Sequence, residues 1–554
     1  MLKWATIMNT NINLDSAANS ELAAALNGTF QALAAGLPDP AELARIANHF
    51  FNEGQTQQMV SPVLPVSEPA LVNVVSSRSP HPGLSDIPHL NPQIPGAVLR
   101  ATESGYEPLV SFHSLNRSLY PSVITPVLLP DWQDPALPDK NSTIAGGFDV
   151  RAIRRDFPIL QEKLNGKPLI WLDNAATTQK PQAVIDRLKY FYEHENSNVH
   201  RAAHTLAARS TDAYDGARER VRRFLNAASV REIIFVRGAT EGINLIANTW
   251  GKKNISAGDE IVISHLEHHA NIVPWQILAA EKGARLRIIP VNDQGELLLE
   301  EYKNLLNPRT KLVAFTHVSN ALGTITPVQE IVSIARQHGI TTLVDGSQGV
   351  SHMKVDVQAY GADFYVFSGH KLFAPTGIGA VYGRLEVLES LPPWQGGGNM
   401  IVDVTFEKTV YHPAPFRFEA GTGNIADAVG LGAAIDYLEN LGMDQIGRYE
   451  HELLRYATEH LQQIPGLRFI GTAKNKASVL SFVLEGFSND EIGQYLNQAG
   501  IAVRTGHHCA QPILRRFGVE STVRPSLAFY NTCEEVDALV SAVWKLKNGQ
   551  NIGI

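Results

Sequence analysis

TTLVDGSQ (341–348) and FYVFSGHKL (364–372) are the two stretches that decide the fold. Each is a short apolar run that stops at a polar turn, the first at Asp345-Gly-Ser-Gln348 and the second at Ser368-Gly-His370-Lys371. Taken singly, an aspartate closing a strand often caps the next helix, and a lysine is ordinarily a solvated charge. Their shared position carries more: both close an apolar strand, and an open α/β sheet builds its ligand crevice at the carboxyl ends of its strands. A lysine there, followed by Leu372 and Phe373, is partly desolvated, which lowers its pKa and makes it a competent Schiff-base nucleophile. An aspartate beside it has the charge to pair with a pyridinium nitrogen.

Further runs repeat the pattern on either side: LIWL (169–172), EIIFV (232–236), EIVIS (260–264), RLRIIPV (285–291), KLVAFTHV (311–318) and GIGAVYG (377–383). Amphipathic stretches such as GINLIANTW (242–250) and VQEIVSIARQHG (328–339) lie between several of them. This alternation predicts an α/β domain with a mostly parallel sheet. In IIFVRGATEGINL a strand runs through Arg237-Gly238-Ala239-Thr240 into a helix, and the N–H groups of that helix start, with the Thr240 hydroxyl, form a candidate anion site. After about residue 415 the rhythm changes to a long helix (427–442) and two strand candidates, ASVLSFVLEG (477–486) and RPSLAFYN (524–531), which predicts a smaller α+β C-terminal domain. The domain reading is therefore 148–415, with 148–165 as an N-terminal arm, and 416–554.

Residues 1–147 differ in composition. They hold 16 of the 31 prolines, and 6 basic against 12 acidic residues. Prolines at this density break helices and deny strands their ladder donors. Two early segments, 16–37 and 40–51, keep a helical period, and apolar residues otherwise come in bursts such as YPSVITPVLLPDW (120–132). A pure spacer is Gly/Ser-rich or charged, whereas discrete apolar clusters are what short motifs use to dock in grooves. A largely disordered tether with docking motifs is the expectation. The whole chain of 554 residues has a net charge of −8 and no basic run, which argues against nucleic acid as a partner. Two cysteines exclude a disulfide scaffold and a Cys-only metal site, and no metal is expected. The N-terminus lacks a secretory pattern and no apolar run is long enough to span a membrane, so the expected location is cytoplasmic.

The runs LDNAATTQKP (172–181), NVHRAAHTLA (198–207), RGATEGINLIAN (237–248), EHHANIVPW (267–275), THVSNALGT (316–324), RFEAGTGN (417–424) and RTGHHCAQP (504–512), with VDGSQ and FYVFSGHKL, resemble the pyridoxal-phosphate-dependent cysteine desulfurases of fold type I, and within them the group II branch. The resemblance spans about Phe148 to Lys547 and implies an aspartate-aminotransferase-like fold, pyridoxal phosphate as cofactor and L-cysteine as substrate. It assigns Lys371 to the Schiff base, Asp345 to the pyridine nitrogen and Gln348 to the ring hydroxyl. His268 would stack on the ring, with His269 a second candidate. Thr240, Ser368, His370 and the main chain at Ala239 would hold the phosphate, joined by Thr422 from the other protomer of a homodimer. Asn320 and Arg524 would receive the substrate carboxylate, with His200, Arg504 and Ala175 lining the substrate end. Cys509 would take the sulfur as a persulfide and pass it to an acceptor protein or small thiol. An isolated cysteine is usually an inert small hydrophobe, but Cys509 stands in Arg504-Thr-Gly-His507-His508-Cys509, where nearby positive charge favours thiolate. Cys533, at the start of a C-terminal helix, reads as structural.

Two departures from the family pattern stand out: Ala239 precedes Thr240 where two threonines are common, and Pro525 follows Arg524. Both are expected to be tolerated, Pro525 holding Arg524 in extended geometry. The leader of residues 1–147 resembles those of desulfurases carried as cargo in family 2 encapsulin shells, which implies a shell partner. The alternatives are selenocysteine lyase activity, or a leader that recruits an iron–sulfur assembly partner.

Overall fold

The computed structural model describes residues 148–199 and 204–550. The readings on residues 1–147 and on His200 lie outside the described residues. At the centre is a seven-stranded sheet built from β1 (Ile233–Val236), β2 (Glu260–Ser264), β3 (Arg285–Ile289), β4 (Thr310–Thr316), β5 (Thr341–Asp345), β6 (Phe364–Ser368) and β7 (Gly379–Gly383). Their spatial order is β1-β7-β6-β5-β4-β2-β3. All neighbours are parallel except β7, which runs antiparallel to both β1 and β6. The fold is that of α/β, with a mostly parallel sheet as expected. β1, β2, β6 and β7 are buried at every position, which is why they read as continuous apolar runs. β3 carries Arg285 and Arg287 and is the partly exposed edge strand.

Asp345 is the last residue of β5 and Ser368 the last of β6, and the two strands are parallel neighbours, so both polar turns open at one edge of the sheet. The same edge receives the end of β1, from which Gly238 leads into the helix α3 (Ala239–Ile246). The helices α1 (Gln182–His194) and α2 (Thr205–Phe224) precede it. α4 (Val328–Gln337) links β4 to β5, and α5 (Ile425–Leu441) packs close to α1 and α2 through glycines. A Cβ on Gly432 would lie 3.2 Å from Ala217 Cα, and one on Gly430 would lie 3.1 Å from Leu188 Cδ2.

A second, antiparallel sheet contains β8 (Leu467–Ile470), β9 (Ser481–Leu484), β10 (Arg504–Gly506) and β11 (Thr522–Arg524) in the order β8-β9-β11-β10. Here the strand expected over 524–531 differs: β11 ends at Arg524. Pro525 has no N–H to continue the ladder. The chain then turns, with Asn531 Oδ1 accepting from the Ala528 N–H at 2.8 Å. LIWL also falls outside the central sheet, its Ile170–Trp171 pairing in parallel with Ile501–Ala502. Among the described residues no helix is long and apolar enough to cross a membrane.

Candidate active site

A cavity of about 300 Å³ opens at the edge where β5, β6 and the start of α3 meet. That volume is at the small end of the usual range for small-molecule sites. Of the residues singled out in the sequence, Lys371, Asp345, Gln348, His268, Ala239, Thr240, Ser368, His370, Asn320, Arg524, Arg504, Ala175 and Cys509 line it. Thr422 does not. It is exposed on a separate cavity of about 630 Å³ beside Trp394 and Gln395, where its hydroxyl donates to Asn198 Oδ1 at 3.3 Å.

Lys371 follows β6 in a short 3-10 turn, and among the described residues its ammonium makes no hydrogen bond or ion pair. Burial pulls its pKa below the ordinary lysine value, the opposing pull of Asp345 and Cys509 notwithstanding. The peptide that carries it is clamped. The His370 carbonyl accepts from the Thr178 N–H at 3.0 Å, Thr177 Oγ1 at 3.0 Å, Thr178 Oγ1 at 3.2 Å and Lys180 Nζ at 3.2 Å. Asp345 is held from one side, its Oδ1 accepting from the Ser347 N–H at 3.0 Å and Ser347 Oγ at 2.5 Å. Gln348 Nε2 donates to the Ala175 carbonyl at 2.7 Å.

The two adjacent histidines separate in the structure. His268 lines the cavity, and its Nδ1 accepts from the Ala270 N–H at 3.0 Å, which leaves the ring proton on Nε2. Burial first, then the charges of Lys371, His269 and Arg524, hold it neutral with a pKa of about 3. His269 turns away to stack on His507 at 5.8 Å. At the helix start, the Ala239 N–H is already engaged by Ser368 Oγ at 2.8 Å, so one donor expected to be free for an anion acts through the serine hydroxyl instead.

The loop that carries Cys509 is strained. His508 and Cys509 both adopt left-handed backbone, with φ of 52° and 54°, a conformation that costs non-glycine residues free energy and clusters at functional sites. Asn320 Nδ2 pins the loop by donating to the His508 carbonyl at 2.7 Å, and His507 Nδ1 accepts from the Cys509 N–H at 3.0 Å. His508 is not the source of positive charge beside Cys509: burial lowers its pKa to about 2. Lys371 and Arg524 both lie within electrostatic reach of Cys509.

Arg524 is buried, with Nη1 donating to the Asn320 carbonyl at 2.9 Å and Nη2 to Asp173 Oδ1 at 3.3 Å. Arg504 donates to Asp173 Oδ2 from Nε at 3.0 Å and Nη2 at 2.8 Å. Asp173 stands in the LDNAATT run, yet the sequence assigns it no task. Asn320 Oδ1, Arg524 Nε and His508 Nδ1 are buried without partners in the described protein. Such orphaned groups are costly unless a ligand satisfies them. An unpaired amine, a fixed carboxylate, hydroxyl and imidazole donors by a helix start, and orphaned polar atoms together fit pyridoxal phosphate and an amino-acid substrate.

Residues 170–539 match the family Aminotransferase class-V. The chain is 57% identical over 532 residues to a cysteine desulfurase of Synechococcus elongatus, covering 93% of this chain and 84% of the relative. It is 52% identical over 400 residues to a cysteine desulfurase of Salmonella agona, covering 72% of this chain and 98% of the relative. The crystal structure of the cysteine desulfurase CsdA (S-sulfonic acid) from Escherichia coli is similar, with a TM-score of 0.67 and 39% identity over 72% of this chain and 98% of that one.

Proposed function

The chain belongs to the class-V aminotransferase family and is a pyridoxal-phosphate-dependent cysteine desulfurase, and from that premise we propose a group II enzyme that holds sulfur from L-cysteine as a persulfide on Cys509. The sulfur then passes to an acceptor protein or small thiol. The observation that carries this reading is the single cavity in which a desolvated lysine, an arginine–asparagine pair and a thiol meet.

Pyridoxal phosphate, when bound, supplies an electron sink for the carbanion formed at the substrate Cα. Asp345 would hold its ring nitrogen, Gln348 its ring hydroxyl, His268 its face, and Thr240, Ser368 and His370 its phosphate, with Ala239 acting through Ser368. Lys371 Nζ is the attachment point and the base for the Cα proton, and its lowered pKa leaves more of the amine neutral for both tasks. Arg524 and Asn320 orient the substrate carboxylate, with Arg504 and Ala175 beside them. Cys509 Sγ then takes the substrate sulfur: the Cβ–S bond breaks, an S–S bond forms, a proton goes to Cβ, and alanine leaves. Alanine and sulfide release from L-cysteine tests the assignment. Cys509→Ala and Lys371→Ala should both lose sulfide release, and only Cys509→Ala should keep the visible cofactor band. Sulfide release that survives without Cys509 overturns the persulfide.

Thr422, lying outside its own chain's cavity, supports a homodimer in which it reaches the partner's phosphate. The leader is assigned to loading into a family 2 encapsulin shell in the cytoplasm. Support comes from its discrete apolar clusters, the kind of segment that docks in grooves. A chain beginning at Phe148, co-expressed with such a shell, should stay outside the particles, and its recovery inside them overturns the assignment.

A further inference from the structure

Arg504 and Arg524 are direct cross-strand partners on β10 and β11, so two guanidinium groups leave neighbouring strands at the same register. Like charges placed directly opposite each other destabilise a sheet pair. Asp173 lies between them: Oδ1 takes Arg524 Nη2 and Oδ2 takes Arg504 Nε and Nη2. Its own position is rigid. The Asp173 carbonyl accepts from the N–H groups of Ala176 and Thr177 at 3.1 and 3.3 Å, and the residue pairs as a parallel bridge with Ser526. Both arginines line the cavity, and Asp173 is buried behind them. Arg524 keeps one buried Nε without a partner, and Arg504 has a half-exposed side chain, so neither donor set is exhausted. The neighbouring His508 and His268 are held neutral and add no charge to this wall.

Two cations and one fixed anion leave the wall with a single net positive charge. We propose that Asp173 is a positioning residue that sets this charge, so that the site accepts an amino acid with one carboxylate and disfavours dicarboxylic amino acids. The proposal rests on the reading that Arg524 receives the substrate carboxylate. A second carboxylate on the ligand would have to be desolvated against a cation that Asp173 already compensates, which is unfavourable. Without Asp173, Arg504 becomes an uncompensated fork suited to that second carboxylate.

The test is a titration of the holoenzyme with L-alanine and with L-aspartate, following the shift of the visible cofactor band, and backed by their inhibition of L-cysteine turnover. The quantity read is the ratio of the two affinities. Asp173→Asn should move that ratio toward aspartate by roughly tenfold, the size of one charge-assisted hydrogen bond. Asp173→Glu, which restores the charge, should return the ratio toward that of the unaltered enzyme. An unchanged ratio in an Asp173→Asn protein that keeps its cofactor band overturns the proposal, because a merely structural role would weaken both ligands alike. If Asp173→Asn does not hold cofactor, Arg504→Gln decides: the ratio should move away from aspartate, and an unmoved ratio overturns the proposal. Arg524→Lys separates the underlying reading, since unchanged alanine affinity in that variant would overturn carboxylate binding at Arg524 itself.

Discussion

Glu267 is fully buried beside His268, and three donors converge on its carboxyl group: Ser264 Oγ, the Thr316 N–H at 2.9 Å and Asn271 Nδ2 at 2.6 Å. Asn271 in turn accepts from Trp275 Nε1 at 2.8 Å, so the network ties the ends of β2 and β4 to the turn that presents His268. Desolvation outweighs the donors and pushes the pKa of Glu267 up from 4.5 to about 8. A carboxyl with a raised folded pKa binds its proton more tightly in the folded state. Its contribution to stability is therefore full below about pH 4.5 and is lost as pH rises through about 8. Glu267→Gln cannot ionise, so its stability should gain on that of the unaltered protein by up to about 1.4 kcal/mol per pH unit across this window. Urea unfolding of both proteins at about pH 5, 6.5 and 8 measures the gap, and a gap of constant size would show that Glu267 does not titrate there. Glu267 and Asp173 both sit in recognisable motifs, yet neither task is legible from the sequence. The partners of Asp173 stand 331 and 351 residues away, and a buried carboxylate acquires meaning only when they are located. Lys371, Asp345 and Cys509 stand out as candidates in the sequence because each lies at a strand end or in a distinctive local pattern.

The same contrast holds for whole elements. Fully buried strands announce themselves as apolar runs, and seven of the eight runs read in the large domain became strands of the central sheet. β11 is shorter than its apolar run implies, because burial and apolarity continue past Arg524 while the hydrogen-bond ladder stops at Pro525. The tightness with which β7 sits in the sheet was equally invisible. A Cβ on Gly379 would lie 2.4 Å from the Phe367 carbonyl oxygen and 2.8 Å from Gly238 Cα. Both obstacles are backbone, so no rotamer change relieves them, and β7 would have to withdraw from β6 and from the turn that starts α3. Gly379→Ala should therefore destabilise the protein by roughly 1–3 kcal/mol or more. Displacing Gly238 also shifts Ala239 and Thr240, so the variant should retain less cofactor after dialysis. Thermal unfolding and the visible absorbance per chain check the two effects, and an unchanged Tm would show that the sheet gives way at no cost.

At the scale of the molecule, the segment from Phe148 to Phe157 is tied to the rest of the fold by packing. Phe148 stacks on Tyr449 with ring centroids 4.9 Å apart, and Asp149 caps the helix Val150–Arg155 by accepting from the Ala152 N–H. Arg154 reaches the Tyr530 carbonyl at 2.6 Å and Glu535 at 2.8 Å. Phe157 is completely buried among Phe373, Tyr437, Phe529 and Tyr530. Since Phe373 lies two residues beyond Lys371, this cluster supports the loop that carries Lys371. All of these contacts are made among described residues from Phe148 onward, and 72% of this chain matches the Salmonella relative over 98% of its length. A chain beginning at Phe148 should keep the Tm and the turnover of L-cysteine. A chain beginning at Leu160 loses the Arg154 contacts and empties the Phe157 site, which alone costs roughly 3–5 kcal/mol, and should lose both cofactor and stability. Thermal unfolding and alanine release from the two truncations check the boundary, and a Leu160 chain as stable as the Phe148 chain would show that the arm adds nothing to the fold.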